Sequence, residues 1–178
     1  MTCIAGIMKD GKVYLAGERG ASEGTYIVPI DKPKIWKSGP YIFGYAGTFD
    51  GQIIQYNFNP PALEGNPDKF MHGKFLKALK EFYSEWDIGG KDSELSLLIG
   101  VKGKLYEHDA DGLTLVSYDR DFCAIGSGAD LLWGLFFLHK LTKIQSVVSP
   151  WHSMLLFHTV LPVLVQLTYF RVRGILIL

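Results

Sequence analysis

Short runs of apolar and β-branched residues, punctuated by turn formers, dominate the first part of the chain. TCIAGIM (2–8) and KVYLAG (12–17) flank the turn-forming stretch Lys9-Asp10-Gly11-Lys12 and predict an opening hairpin. Further strands are predicted at Thr25 to Ile30, Ile35 to Trp36 and Tyr41 to Ala46, separated by Pro, Gly and Asp. A helix is predicted from Phe49 to Tyr56, and a Pro/Gly/Asn loop from Asn57 to Asp68. Met71, Phe75, Leu79, Phe82 and Trp86 then recur at the spacing that lines one face of a helix, which Ile88-Gly89-Gly90 ends. Leu95 to Val101, Leu105 to His108, Leu113 to Val116 and Phe122 to Ile125 read as a meander of strands. Strands, helices and strands in that order predict an α+β domain, with helices layered on two sheets.

Composition narrows the function classes. The chain has 178 residues, 48% of them hydrophobic, enough for one domain with a real core. Eighteen basic residues balance eighteen acidic ones, so no basic excess points to nucleic acid. Cys3 and Cys123 are too few for a disulfide scaffold, and MTCIAGI lacks the basic start and apolar run of a signal peptide; a cytoplasmic location is expected. The balance of charge is uneven along the chain. Residues 1–130 hold all eighteen acidic residues and fourteen basic ones, whereas residues 131–178 hold four basic residues and no acid.

Thr2 carries the first candidate chemistry. Methionine aminopeptidase acts readily before a small residue, so removal of Met1 would leave a hydroxyl and a free α-amine on one residue. An unperturbed α-amine has a pKa of about 7.7–8.0, so near neutral pH a useful fraction is free to take the hydroxyl proton. The β-methyl of Thr restricts its rotamers and helps aim the oxygen. Gly47, in YAGTFDG, falls where a strand enters a helix, and its backbone N–H suits a developing oxyanion; a plain strand-to-helix turn would also explain it.

Five segments in order, MTCIAGI, VYLAGERGAS, DKPKIWK, YIFGYAGTFDG and FCAIGSGAD, make residues 2–130 resemble the proteasome β-subunits and HslV-type threonine peptidases, within the N-terminal nucleophile hydrolases. The resemblance implies a four-layer αββα sandwich and a threonine-type peptidase that hydrolyses peptide bonds through an acyl-enzyme on Thr2. It makes Lys34 the active-site lysine, whose ammonium would lower the pKa of the Thr2 hydroxyl and amine. It makes Gly47 the oxyanion donor and Ser127 a hydrogen-bonding partner near the N-terminal amine. Glu18 stands where the family has Asp. One extra methylene, on the order of 1.5 Å, leaves its fit to Lys34 open, and Glu18→Asp is expected to keep or raise activity. The implied partners are peptide or unfolded-protein substrates, further copies in a homo-oligomeric ring and an ATP-driven unfoldase.

Other chemistries find little support. His72, His108, His139, His152 and His158 show no metal-binding spacing, neither cysteine has a CxxC partner, and no metal or cofactor is expected. Asp109-Ala110-Asp111-Gly112 reads as a hairpin turn rather than a calcium loop. No P-loop is present, so ATP hydrolysis by this chain is not expected. Cys3 could serve as the nucleophile of a different N-terminal hydrolase only after loss of both residues before it.

The division of the chain is expected near Asp130, with a proteasome-like core at 1–130 and a divergent apolar tail at 131–178. Ser153 to Phe170 carries no formal charge and is flanked by Arg171 and Arg173, near the lower length for a membrane span. His158, Pro162 and Gln166 interrupt it, and a membrane role is the less favoured reading. The favoured one is a shifted reading frame. With suitable synonymous codons, the nucleotides for LLWGLFFLHKLTKIQSVV read one base earlier as SALGSLFLAQTNKNPERR, a segment similar to the family's next helix. A non-catalytic or frameshift-inactivated subunit is therefore the alternative to an active peptidase.

Overall fold

In a computed structural model, the chain is described over residues 2–23, 26–90, 92–111, 113–134, 136, 176 and 177. Thr25, the Ser153 to Phe170 stretch and the C-terminal helices implied by the resemblance lie outside the described residues.

The N-terminal hairpin forms as its pattern dictates: β1 (Ile4–Lys9) pairs antiparallel with β2 (Lys12–Gly17), closed by Asp10 and Gly11 with positive φ. On its other edge β1 pairs with β10 (Phe122–Ile125), and β2 pairs with β11 (Leu176–Ile177), giving a sheet of order β10-β1-β2-β11. This last pairing departs from the sequence reading, which saw no final strand in the tail. Two residues are too few to show a period, and only the partner strand defines them. β3 (Gly20–Glu23) and β4 (Tyr26–Pro29) form a small hairpin; the first of these carried no apolar alternation and was not predicted.

The second sheet is a five-stranded antiparallel meander: β5 (Ile35–Ser38), β6 (Tyr41–Ala46), β7 (Ser96–Val101), β8 (Lys104–Asp109) and β9 (Thr114–Val116). Side-chain alternation splits it between two cores. Tyr41, Phe43 and Tyr45 face the helices with Leu97, Ile99 and Tyr106, while Ala46, Leu98 and Leu105 meet Ile4, Leu15, Cys123 and Ile125 of the first sheet.

α1 (Asp50–Asn57) follows β6 directly. The region from Met71 is a composite. A short α2 (Pro67–Phe70), capped by the Asn66 side chain and started by Pro67, runs into a π-helical turn at Met71–Phe75 and then α3 (Leu76–Trp86). The expected loop thus ends two residues early, at Asn66. Asp87 in the left-handed conformation, rather than the glycines after it, stops α3. The wide turn places Phe70, Met71 and Phe75 in the core together with Leu79 and Phe82.

The described residues therefore build three layers: helices, the five-stranded sheet and the sheet containing β1. Over the outer side of the latter, Phe136 stacks on Phe122 and Trp133 packs against it at a tilt, with centroids 4.2 Å and 4.9 Å away, while Ile7 and Tyr14 stay 39% and 43% exposed. Residues 129–134 are helical.

Candidate functional site

Four of the five residues singled out in the sequence meet at the start of β1. Lys34 precedes β5 and is 3% exposed, an unusual place for an ammonium unless it is paired. It is paired three ways: Nζ donates to Thr2 Oγ1 at 2.6 Å, to Glu18 Oε1 at 2.8 Å and to the Gly20 carbonyl. All three ammonium donors thus find oxygen acceptors.

Glu18 bridges two groups of the site. One carboxylate oxygen faces Lys34 while the other accepts the Gly20 backbone N–H, so the longer side chain reaches both. Glu18 itself is fixed next to β1, since its N–H donates to the Cys3 carbonyl at 3.4 Å. The pair is largely withdrawn from water, with side chains 4% and 23% exposed for Lys34 and Glu18, so screening by salt is weak.

Ser127 approaches from the far edge of the same sheet. Its Oγ accepts the Thr2 backbone N–H at 3.2 Å, and the next residue, Gly128, donates its N–H to the Thr2 carbonyl at 3.0 Å. This requires a sharp turn after β10: Gly126 has φ +90°, and a Cβ there would crowd the Thr2 carbonyl. The chain around Thr2 is thus held on both backbone atoms and on its hydroxyl.

Gly47 joins less directly. It follows β6 with φ +90°, a Cβ there would overlap the Glu94 carbonyl oxygen, and its neighbour Ala46 lies beside Gly126. The positive φ answers the turn reading of this glycine.

Cys3 lies beside the same groups as a free, half-buried thiol. Burial, and then the charge of Glu18, push its thiol up from the ordinary cysteine value, which disfavours thiolate. Two contributors escaped the sequence reading, the Gly20 carbonyl and the Arg19 guanidinium, the latter donating to the Asp31 carbonyl. Both act through backbone atoms, which residue type alone does not signal.

The arrangement offers a hydroxyl, an adjacent backbone nitrogen and a buried cation held by a carboxylate, the components of an activated oxygen nucleophile. No protein-family model matches the sequence. Solved structures do resemble it. BPH of Thiobacillus denitrificans matches with a TM-score of 0.56 at 20% identity, over 76% of this chain and 77% of that one. The same protein in complex with epoxomicin matches with a TM-score of 0.57 at 19% identity, over 76% and 78%. HslV from Trypanosoma brucei matches with a TM-score of 0.50 at 20% identity, over 72% and 73%. The chain has an α+β fold similar to that of BPH and HslV.

Proposed function

We propose that this chain is a threonine-type peptidase subunit of a compartmental, HslV-like protease. The observation that carries the reading is the 2.6 Å contact between Lys34 Nζ and Thr2 Oγ1, with Glu18 behind the lysine. Once Met1 is removed, the Thr2 amine takes the hydroxyl proton, directly or through water, and Oγ1 adds to the substrate carbonyl. The C–N bond breaks as the amine proton passes to the leaving nitrogen, and an ester on Thr2 remains. Water activated by the same amine then releases the acid and regenerates the hydroxyl. Lys34 stabilises negative charge on Oγ1 during attack, the Gly47 N–H serves the developing oxyanion, and Ser127 holds the amine.

BPH has been solved with epoxomicin, and an epoxyketone is suited to a residue offering both a hydroxyl and an amine. Peptide or unfolded-protein substrates, a homo-oligomeric ring, an ATP-driven unfoldase partner and a cytoplasmic setting follow from the same reading. The test is intact-protein mass spectrometry with epoxomicin. One adduct per chain on Thr2, absent in Thr2→Ala, supports the proposal; a purified chain that retains Met1 and forms no adduct refutes it.

A second reading is an inactivated subunit whose residues 131–178 are translated out of frame. It is favoured by the absence of acidic residues there. The gene's nucleotide sequence decides it: codons giving a stop or no ALGSL-like peptide one base earlier would end the idea. For membrane attachment, no helix among the described residues is long and apolar enough to cross a bilayer.

A further inference from the structure

Lys34 is held at its ammonium by Glu18 and Gly20, but a head group stays in place only if the backbone carrying it is also fixed, since a free lysine side chain spreads over many rotamers. On its C-terminal side the backbone is secure. The Lys34 carbonyl accepts the Tyr45 N–H at 3.0 Å, and β5 pairs with β6 from Ile35 onward. On its N-terminal side the preceding residue is Pro33, which has no N–H to give, and Asp31 and Lys32 are exposed.

Arg19 supplies the missing tie. Its guanidinium donates to the Asp31 carbonyl, and its own carbonyl accepts the Ile30 N–H at 2.8 Å, so one residue grips this approach at two points. Its neighbours in sequence are Glu18 and Gly20, the two groups that hold Lys34 Nζ opposite Thr2. We infer that Arg19 is a positioning residue: the consecutive Glu18, Arg19 and Gly20 hold the lysine from both ends, and Arg19 sets its reach toward the Thr2 hydroxyl. The catalytic consequence rests on the peptidase reading; the positioning itself does not. The contact is to a backbone oxygen, so the Asp31 carboxylate, which lies 3.5 Å from Lys32 Nζ, is not part of it.

The experiment compares Arg19→Gln, Arg19→Lys and Asp31→Asn with wild type. It reads the melting temperature, the rate of the epoxomicin adduct on Thr2, and the proton–nitrogen NMR signal of the Lys34 ammonium, assigned through Lys34→Met. The expected result is an adduct rate about tenfold lower in Arg19→Gln with a changed or lost ammonium signal. Arg19→Lys, which keeps a cationic donor, should recover part of both, and Asp31→Asn should match wild type. An unchanged ammonium signal and rate in folded Arg19→Gln overturn the inference while leaving the peptidase reading intact. A changed signal in a protein whose wild type forms no adduct supports the positioning and defeats the peptidase reading. An effect of Asp31→Asn equal to that of Arg19→Gln, or loss of folding in both Arg19 variants, overturns it as well.

Discussion

Lys34 Nζ lies 2.6 Å from Thr2 Oγ1 and 2.8 Å from Glu18 Oε1, a cation shared between a hydroxyl and a carboxylate in a largely dry setting. Lys34→Met keeps the aliphatic length and removes the charge. Peptide hydrolysis or epoxomicin adduct formation is expected to fall by a factor of about 100 or more. The Glu18 carboxylate then loses its counter-charge, and stability should drop by about 3 kcal/mol, read from urea unfolding. A Lys34→Met protein reacting at the wild-type rate would remove the lysine from the mechanism.

Glu18→Asp is the sharper test of geometry. The family resemblance alone suggested that Asp would keep or raise activity; the structure argues the reverse. The glutamate spans from the Gly20 N–H to the Lys34 ammonium, and a side chain shorter by about 1.5 Å cannot serve both. Adduct formation about tenfold slower is expected, and activity equal to or above wild type would show that the backbone adjusts to the shorter acid.

Gly47→Ala tests the strand-to-helix junction. The positive φ and the Glu94 carbonyl leave no room for a methyl group, so a loss of about 2–4 kcal/mol is expected. Thr48→Ala, one residue on, removes only a hydroxyl that donates to Asp50 at 2.9 Å and should cost about 1 kcal/mol. Equal melting temperatures for the two variants would contradict this account of Gly47.

Away from the site, Glu107 is half-buried and accepts the Cys123 thiol at 3.3 Å. Burial raises its pKa above 4.5. The folded state therefore holds this proton more tightly than the unfolded chain, and the stabilisation is full below pH 4.5 and lost as the pH rises through the folded value. Glu107→Gln keeps an acceptor for the thiol without the charge. Its melting temperature should exceed wild type at pH 8 and converge with it near pH 4. A gain that is the same at both pH values would show that the charge is not responsible.

Local pattern carried much of the fold. The β1–β2 hairpin follows from its apolar runs and the Asp10-Gly11 turn, and the face Met71, Phe75, Leu79, Phe82 and Trp86 marked the long helix. The π turn at Met71–Phe75 stayed hidden because spacings of four fit both kinds of turn within a single repeat. β3 and β11 stayed hidden because each is defined by its partner strand rather than by its own periodicity. At the site, Thr2, Lys34, Glu18 and Ser127 were legible through side-chain chemistry and motif order, and the structure brings them together. Gly20 and Arg19 were not, since a carbonyl that receives a lysine, or one gripped by an arginine twelve residues away, leaves no mark in residue type.

The tethering of Thr2 also governs how the protein can be handled. Its nitrogen faces Ser127 Oγ and its carbonyl faces Gly128, so a purification tag fused ahead of it would leave an amide beside Ser127 in place of the amine. Material for enzymology should therefore come from an untagged gene, or from a fusion whose cleavage frees threonine as the leading residue.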